Sequence, residues 1–165
     1  MHQSMHALFN PASVAVIGAS EVPGKAAERR TRSLIEGGYD GKIFPINPKR
    51  ATIFNRKAYP SILDVEEGVD LVMIVVAPRL VPQAVEECIR KGVSGIIIIT
   101  AGMGETGEEG RRIESDIRRM CDESGVHLLG PNCSGMFSAS ASLNMLGVPP
   151  IRKGPLSILA QSGNI

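Results

Sequence analysis

Tryptophan is absent from this chain, and only two tyrosines and four phenylalanines are spread over its 165 residues. Single-stranded nucleic acid is held largely by stacking bases on aromatic faces, so that mode of recognition lacks its main tool. Charge of one sign is lacking too. Eighteen Lys and Arg against 17 Asp and Glu leave a formal net charge of +1, and no broad field draws in a polyanion. No nucleic-acid partner is expected. Cysteine is scarce: Cys88, Cys121 and Cys133 are an odd number with no Cys-x-x-Cys spacing, which speaks against a disulfide framework or a Cys-based zinc site. No metal site is expected. No uninterrupted apolar run approaches the length of a membrane span, and none is expected. Met1 to Phe9 has no Lys or Arg and no apolar stretch long enough for a secretory signal, so the expected setting is the cytoplasm.

What is present has the balance of a globular domain, with 43% apolar and 21% charged residues, enough for one core of ordinary size. Ser13 to Ile17 is a short apolar run stopped by Gly18, and reads as a first buried strand. Ala27, Thr31, Leu34 and Ile35 follow at the spacing of one helix face, closed by Gly37-Gly38. Lys42 to Ile46 is a second strand, ended by Asn47-Pro48.

Leu71 to Val76 and Ile96 to Ile99 are continuously apolar rather than alternating, as parallel strands covered on both faces are. Between them Val81, Ala84, Val85, Cys88 and Ile89 mark a helix, and after them Ile113, Ile117, Met120 and Cys121 mark another, with Glu105, Glu108 and Glu109 in its first turn. Val126 to Leu129 is a further strand. This alternation predicts an α/β fold, a Rossmann-like, doubly wound and mainly parallel sheet built from right-handed crossovers. Residues 8–147 are expected to form this domain and 148–155, rich in Pro and Gly, a linker. Residues 156–165 read as the first strand and turn of a second, truncated domain.

In an open parallel sheet, ligands bind beyond the carboxyl ends of the strands. Those ends are Gly18-Ala19-Ser20, Asn47-Pro48-Lys49, Ala77-Pro78-Arg79, Thr100-Ala101-Gly102 and Pro131-Asn132-Cys133. Small residues and turn formers leave room there for a ligand against the backbone, and helix N-termini favour a phosphate. The first turn, Gly18 to Lys25, departs from the dinucleotide fingerprint, because Ser20 replaces the second glycine and the third is displaced. Where NAD binding wants an acidic residue, the chain has Asn47, Pro48 and Lys49. A cation there suits a phosphorylated ribose, which coenzyme A and NADP carry and NAD does not. A Walker A loop fails on spacing and on Ala26, which stands where magnesium binding needs a hydroxyl.

Ser13 to Ser20 with Pro23-Gly24-Lys25, then Gly41 to Lys49, Ala58-Tyr59-Pro60-Ser61, Val69-Asp70-Leu71, Thr100-Ala101-Gly102, Gly130 to Cys133 and Gln161-Ser162-Gly163 resemble, in order, the CoA-binding domain of ADP-forming acetate–CoA ligases. The wider group includes the α subunit of succinyl-CoA synthetase and the CoA-binding portion of some protein acetyltransferases. The resemblance implies coenzyme A or acyl-CoA as ligand and a partner subunit or domain of ATP-grasp type that binds the nucleotide. It places the adenosine and phosphate end of CoA over Gly18, Ala19, Ser20, Glu21, Val22, Pro23 and Lys25. Lys49 is then expected on the phosphates, Asn47 and Pro48 beside the adenine, and Ile99, Thr100 and Ala101 along the pantetheine arm, with Ala77 and Pro78 at the neighbouring strand end.

In the family the thioester chemistry runs through a phosphohistidine on the next domain. His2, His6 and His127 do not match its position, so the chain alone is expected to bind and not to catalyse. The run Ala26-Ala27-Glu28-Arg29-Arg30 and the turn Phe54-Asn55-Arg56 depart from the family's smaller and Gly-containing residues. A stand-alone CoA- or NADP-binding regulatory module, and a module that serves mainly as an interaction partner, are the alternatives; a homodimer stays open. Taken by themselves, Gly18 to Ser20 could be a tight turn, and Lys25, Lys49 and Arg50 solvated charges. Cys88 and Cys121 are expected in the core, and Cys133 to pack or shape the site.

Overall fold

The computed structural model describes residues 5–149, 151–155 and 157–160. Its elements begin with α1 (Met5–Phe9), β1 (Ser13–Ile17), α2 (Ala26–Glu36) and β2 (Lys42–Ile46). A short hairpin follows, β3 (Thr52–Ile53) with β4 (Arg56–Lys57), and then β5 (Leu71–Ile74), α3 (Val81–Lys91), β6 (Gly95–Ile98), α4 (Glu108–Ser124) and β7 (His127–Leu129). A second short hairpin pairs β8 (Phe137–Ser138) with β9 (Leu143–Asn144).

Five strands form one sheet in the order β2-β1-β5-β6-β7, and every neighbouring pair is parallel. The chain runs from β1 outward to β2, then crosses back over β1 to β5. The order therefore reverses between β1 and β5, and a crevice opens at their carboxyl ends. The fold is the doubly wound, Rossmann-like α/β sheet expected from the alternation of apolar runs and helix faces.

The layers follow from the two-residue period of a strand. Ala15 and Ile17 pack with Val81, Val85 and Cys88 of α3 and with Ile117 and Cys121 of α4. Val14 and Val16 face the other way, toward Leu8 of α1, Leu34 of α2 and Leu143 of β9. Residues 14–16, 71–74 and 96–98 are all 0% exposed, which is why their sequences show no polar alternation. Burying a large aliphatic side chain stabilises by about 1.5–3 kcal/mol, and these three central strands concentrate that gain. Cys88 and Cys121 lie in this core as expected. Helix α3 stops at Gly92, whose left-handed backbone (φ 78°) turns its N–H back onto the Cys88 carbonyl at 3.1 Å.

Two strands are shorter than their apolar runs. The ladders of β5 and β6 end at Ile74 and Ile98, yet the Val75 N–H still donates to Ile17 O (2.9 Å) and the Ile99 N–H to Ile74 O (3.0 Å). The chain leaves the sheet gradually as it enters the crevice. Of the expected final strand, residues 157–160 carry no regular structure; Leu156 and Gln161 to Ile165 lie outside the described residues.

Candidate ligand-binding crevice

The first wall of the crevice is the turn after β1. Gly18 has φ 88°, and a Cβ there would lie 2.3 Å from the Val75 carbonyl oxygen, so only glycine lets β1 leave the sheet beside β5. Ser20, standing where a dinucleotide fingerprint has glycine, accepts a hydrogen bond from the Val22 N–H on its Oγ at 3.1 Å. That bond tightens the turn with a side chain instead of a bare backbone.

Asn47, at the end of β2, joins this turn to the next. Its Nδ2 donates to Ala19 O at 2.9 Å and its Oδ1 accepts from the Lys49 N–H at 2.9 Å. The Asx turn sets Lys49 and Arg50 at the rim, both exposed along with Pro48.

The third wall is the β3–β4 hairpin. Its two turn residues, Phe54 and Asn55, are both left-handed, at φ 49° and 58°, as a type I′ turn demands although neither is glycine. The tip is pinned from two sides. The Glu21 Oε2 accepts from the Phe54 N–H at 3.0 Å, and the Arg32 guanidinium lies 4.9 Å from the Phe54 ring centroid. Arg32 is itself held by Glu28 (2.7 Å) and Glu36 (3.1 Å) on α2.

Between these walls lies a cavity of about 210 Å³ lined by Ser20, Glu21, Val22, Lys25, Asn47, Lys49, Arg50 and Ile53. Sites for a whole drug-sized ligand run to about 300–1,000 Å³, so this space suits one end of a longer molecule. The structure thus brings Ser20, Glu21, Lys25, Asn47 and Lys49 together. Val22, from the same expected turn, joins them, and the structure adds Arg50 and Ile53, of which only Arg50, next to Lys49, had a signal in the sequence. Lys25, Lys49 and Arg50 enter none of the ion pairs among the described residues. Three cations and one carboxylate leave the cavity net positive.

The remaining expected residues lie outside that cavity. Gly18 and Ala19 belong to the turn that leads into it, and Pro23 is exposed. Ala77 and Pro78 are exposed at the next strand end, where Pro78 opens a short 3-10 turn. Ile99 and Thr100 are buried and Ala101 is exposed. The Thr100 hydroxyl donates to Val76 O at 2.8 Å, while its carbonyl accepts from the Asn132 N–H at 3.0 Å. Strand ends β5, β6 and β7 are thereby tied together.

Cys133 donates through Sγ to Ile98 O at 3.3 Å, and burial pushes its thiol up; a thiol kept protonated packs and does not attack. Glu105 does not sit in the first turn of α4 as expected. It precedes the helix, and its carboxylate accepts from the Gly102 (2.5 Å) and Met103 (3.1 Å) N–H groups. His127 starts β7, at the strand end opposite the crevice, and His6 lies in α1; His2 is outside the described residues. Among the described residues no group of three His, Cys, Asp or Glu could hold a metal ion, and no helix is long and apolar enough to cross a membrane.

Comparison with known proteins meets this geometry. The CoA binding domain family matches residues 12–139. The α subunit of ADP-forming acetate–CoA ligase I from Pyrococcus furiosus is 44% identical over 165 aligned residues, covering 97% of this chain and 36% of that subunit. A dinucleotide-forming acetyl-coenzyme A synthetase 1 from Candidatus Korarchaeum cryptofilum, solved with phosphate and ADP, superposes with a TM-score of 0.83 at 34% identity, over 89% of this chain and 31% of that one. The crystal structure of PH0766 from Pyrococcus horikoshii gives a TM-score of 0.92 at 38% identity, over 97% and 37%. This chain spans about a third of the length of these relatives. With the switch-point crevice, the glycine–serine turn and the match over residues 12–139 in agreement, the chain belongs to the CoA-binding domain family and is homologous to the α subunit of ADP-forming acetate–CoA ligases.

Proposed function

We propose that this chain binds coenzyme A at the carboxyl ends of the parallel strands, its phosphorylated adenosine in the cavity beyond β1 and β2, as the CoA-binding part of an ADP-forming acyl-CoA ligase. One observation carries the reading. Asn47 holds the backbone of Lys49 (2.9 Å) against a turn it also grips through Ala19 (2.9 Å), and the cations so placed have no carboxylate partner among the described residues. A phosphorylated adenosine supplies that partner. Its phosphates meet Lys25 and Lys49, its ribose and base lie over Gly18 to Pro23 beside Asn47 and Pro48, and its pantetheine arm passes Ala77, Pro78 and Ile99 to Ala101.

The parent reaction on this reading joins an acid and CoA at the expense of ATP, releasing ADP and phosphate. The chain supplies the CoA site only. A nucleotide-binding ATP-grasp partner and a histidine-bearing domain reached through residues 148–155 supply the rest, in the cytoplasm. The purified 165-residue chain is therefore expected to bind CoA without forming acyl-CoA. Calorimetry with CoA, dephospho-CoA and NADPH tests this. Binding in the order CoA, then dephospho-CoA, with NADPH negligible, is expected; no binding of CoA would end the proposal.

A further inference from the structure

The sequence left CoA and NADP equally suited to the cation after the second strand, because both carry a phosphorylated adenosine ribose. They differ in which hydroxyl bears the phosphate: the 3′ position in CoA, with the 2′ hydroxyl free, and the 2′ position in NADP. The cavity holds a group that can tell them apart. Glu21 is its only carboxylate, set among Lys25, Lys49 and Arg50, and it enters no ion pair with them among the described residues. It is not loose. One oxygen, Oε2, is fixed by the Phe54 N–H at 3.0 Å, and Phe54 is fixed in turn by Arg32 at 4.9 Å.

The hairpin tip that presents this N–H has a bulky residue at φ 49°, a conformation that costs energy and persists where the surroundings enforce it. Oε1 appears in none of the hydrogen bonds between described residues. The arrangement is thus a carboxylate with one oxygen anchored and one able to accept, facing into a cationic cavity.

We infer that Glu21 is the residue that selects a ribose with a free 2′ hydroxyl and a 3′ phosphate, accepting a hydrogen bond from the hydroxyl while Lys49 and Arg50 take the phosphate. A carboxylate is an acceptor only, so a hydroxyl at that place binds it and a phosphate at that place is repelled. With the 5′ phosphates held at the Gly18 turn, the two neighbouring ribose positions are no longer equivalent, and the 2′-phosphorylated isomer sets its anion against Glu21. This inference rests on the CoA reading above and refines the same site.

The test uses two isomers of equal charge, adenosine 3′,5′-bisphosphate and adenosine 2′,5′-bisphosphate, titrated with CoA into the full chain, into Glu21→Gln and into Glu21→Asp. The unaltered protein is expected to prefer the 3′,5′ isomer by about tenfold or more, and Glu21→Gln to bring the two within about threefold of each other. Glu21→Asp keeps the charge but shortens the reach, so it weakens the 3′,5′ isomer while the 2′,5′ isomer stays excluded. CoA binding with equal affinity for both isomers, or a preference that survives in Glu21→Gln, would overturn the role of Glu21 and leave CoA binding standing. Failure of CoA and both isomers to bind would instead remove the function proposed for the crevice.

Discussion

The two ends of the parallel sheet are built on opposite plans. At the amino end, polar groups satisfy one another. The Asp70 carboxylate accepts from the Ala12 (2.7 Å) and Ser13 (3.2 Å) N–H groups, Ser13 Oγ donates to Gly68 O (3.1 Å) and accepts from the Asp70 N–H (3.0 Å), and the Asp70 carbonyl takes the Ser94 and Gly95 N–H groups. Tyr39 closes the set by donating to Pro11 O at 2.9 Å; burial, with Asp70 adding to it, pushes its phenol up to about 12, so it keeps that proton at any physiological pH. At the carboxyl end the backbone is just as constrained, but Lys25, Lys49 and Arg50 are left with open charge. A closed network serves stability. An open one, held rigid by Asn47 and the strained hairpin, serves a ligand, because its unmet electrostatic demand is what binding satisfies.

The most severe test of the contrast strikes the constraint on which both ends depend. Gly18→Ala puts a Cβ 2.3 Å from the Val75 carbonyl at φ 88°, and a backbone atom cannot move aside as a flexible side chain would. A loss of about 3–5 kcal/mol in stability is expected, read as a fall in the denaturant midpoint together with weakened CoA binding. A variant as stable as the parent would mean that the turn is looser than its geometry implies.

Asp70→Ala sharpens the comparison by separating the two ends. It leaves the Ala12 and Ser13 N–H groups without their acceptor and should cost about 2–3 kcal/mol, while CoA affinity, measured well below the new melting transition, stays within about twofold. Lys49→Ala should do the reverse. The side chain is exposed and enters no ion pair among the described residues, so stability should move by less than about 0.5 kcal/mol. Its CoA affinity should fall about tenfold, close to 1.4 kcal/mol, with dephospho-CoA affected far less if the lost contact is to the ribose phosphate. A large stability change in Lys49→Ala, or a large affinity change in Asp70→Ala, would break the division of labour.

Much of this was legible in the residues, and the exceptions have physical reasons. Strands β1, β5 and β6 could be read because burial on both faces removes any need for polar alternation, and α3 because Val81, Val85 and Cys88 recur at helical spacing. The crevice followed from where those strands stop. The β3–β4 hairpin was only half legible: the resemblance marked a turn at Phe54-Asn55-Arg56, but without the glycine that normally announces two left-handed residues, and with strands of two residues each, the pairing around it gave no signal. With it went the cavity's third wall, and so Ile53 and the anchoring of Glu21. Ser20 was visible as a departure from a glycine motif, but not as the acceptor for the Val22 N–H.

Glu105 shows the same limit on a smaller scale, and offers the gentlest probe of how the open end is held. By position it belongs with the acidic first turn of α4; in the fold it caps the Gly102 and Met103 N–H groups instead. Those bonds hold its carboxyl below the ordinary range, so its contribution is present above the unfolded glutamate pKa of about 4.3 and lost as pH falls through the lower folded value. Glu105 is exposed, so the effect is local: the Gly102 and Met103 amide resonances should shift on acidification in the parent and stay flat in Glu105→Gln, with CoA affinity changed by no more than about twofold. Glu114, which accepts from the neighbouring Gly104 N–H at 2.8 Å, is the other carboxylate in reach. Amide shifts that persist in Glu105→Gln but vanish in Glu114→Gln would transfer the role to it, and would mean that this loop is gripped from α4 and not from within its own turn.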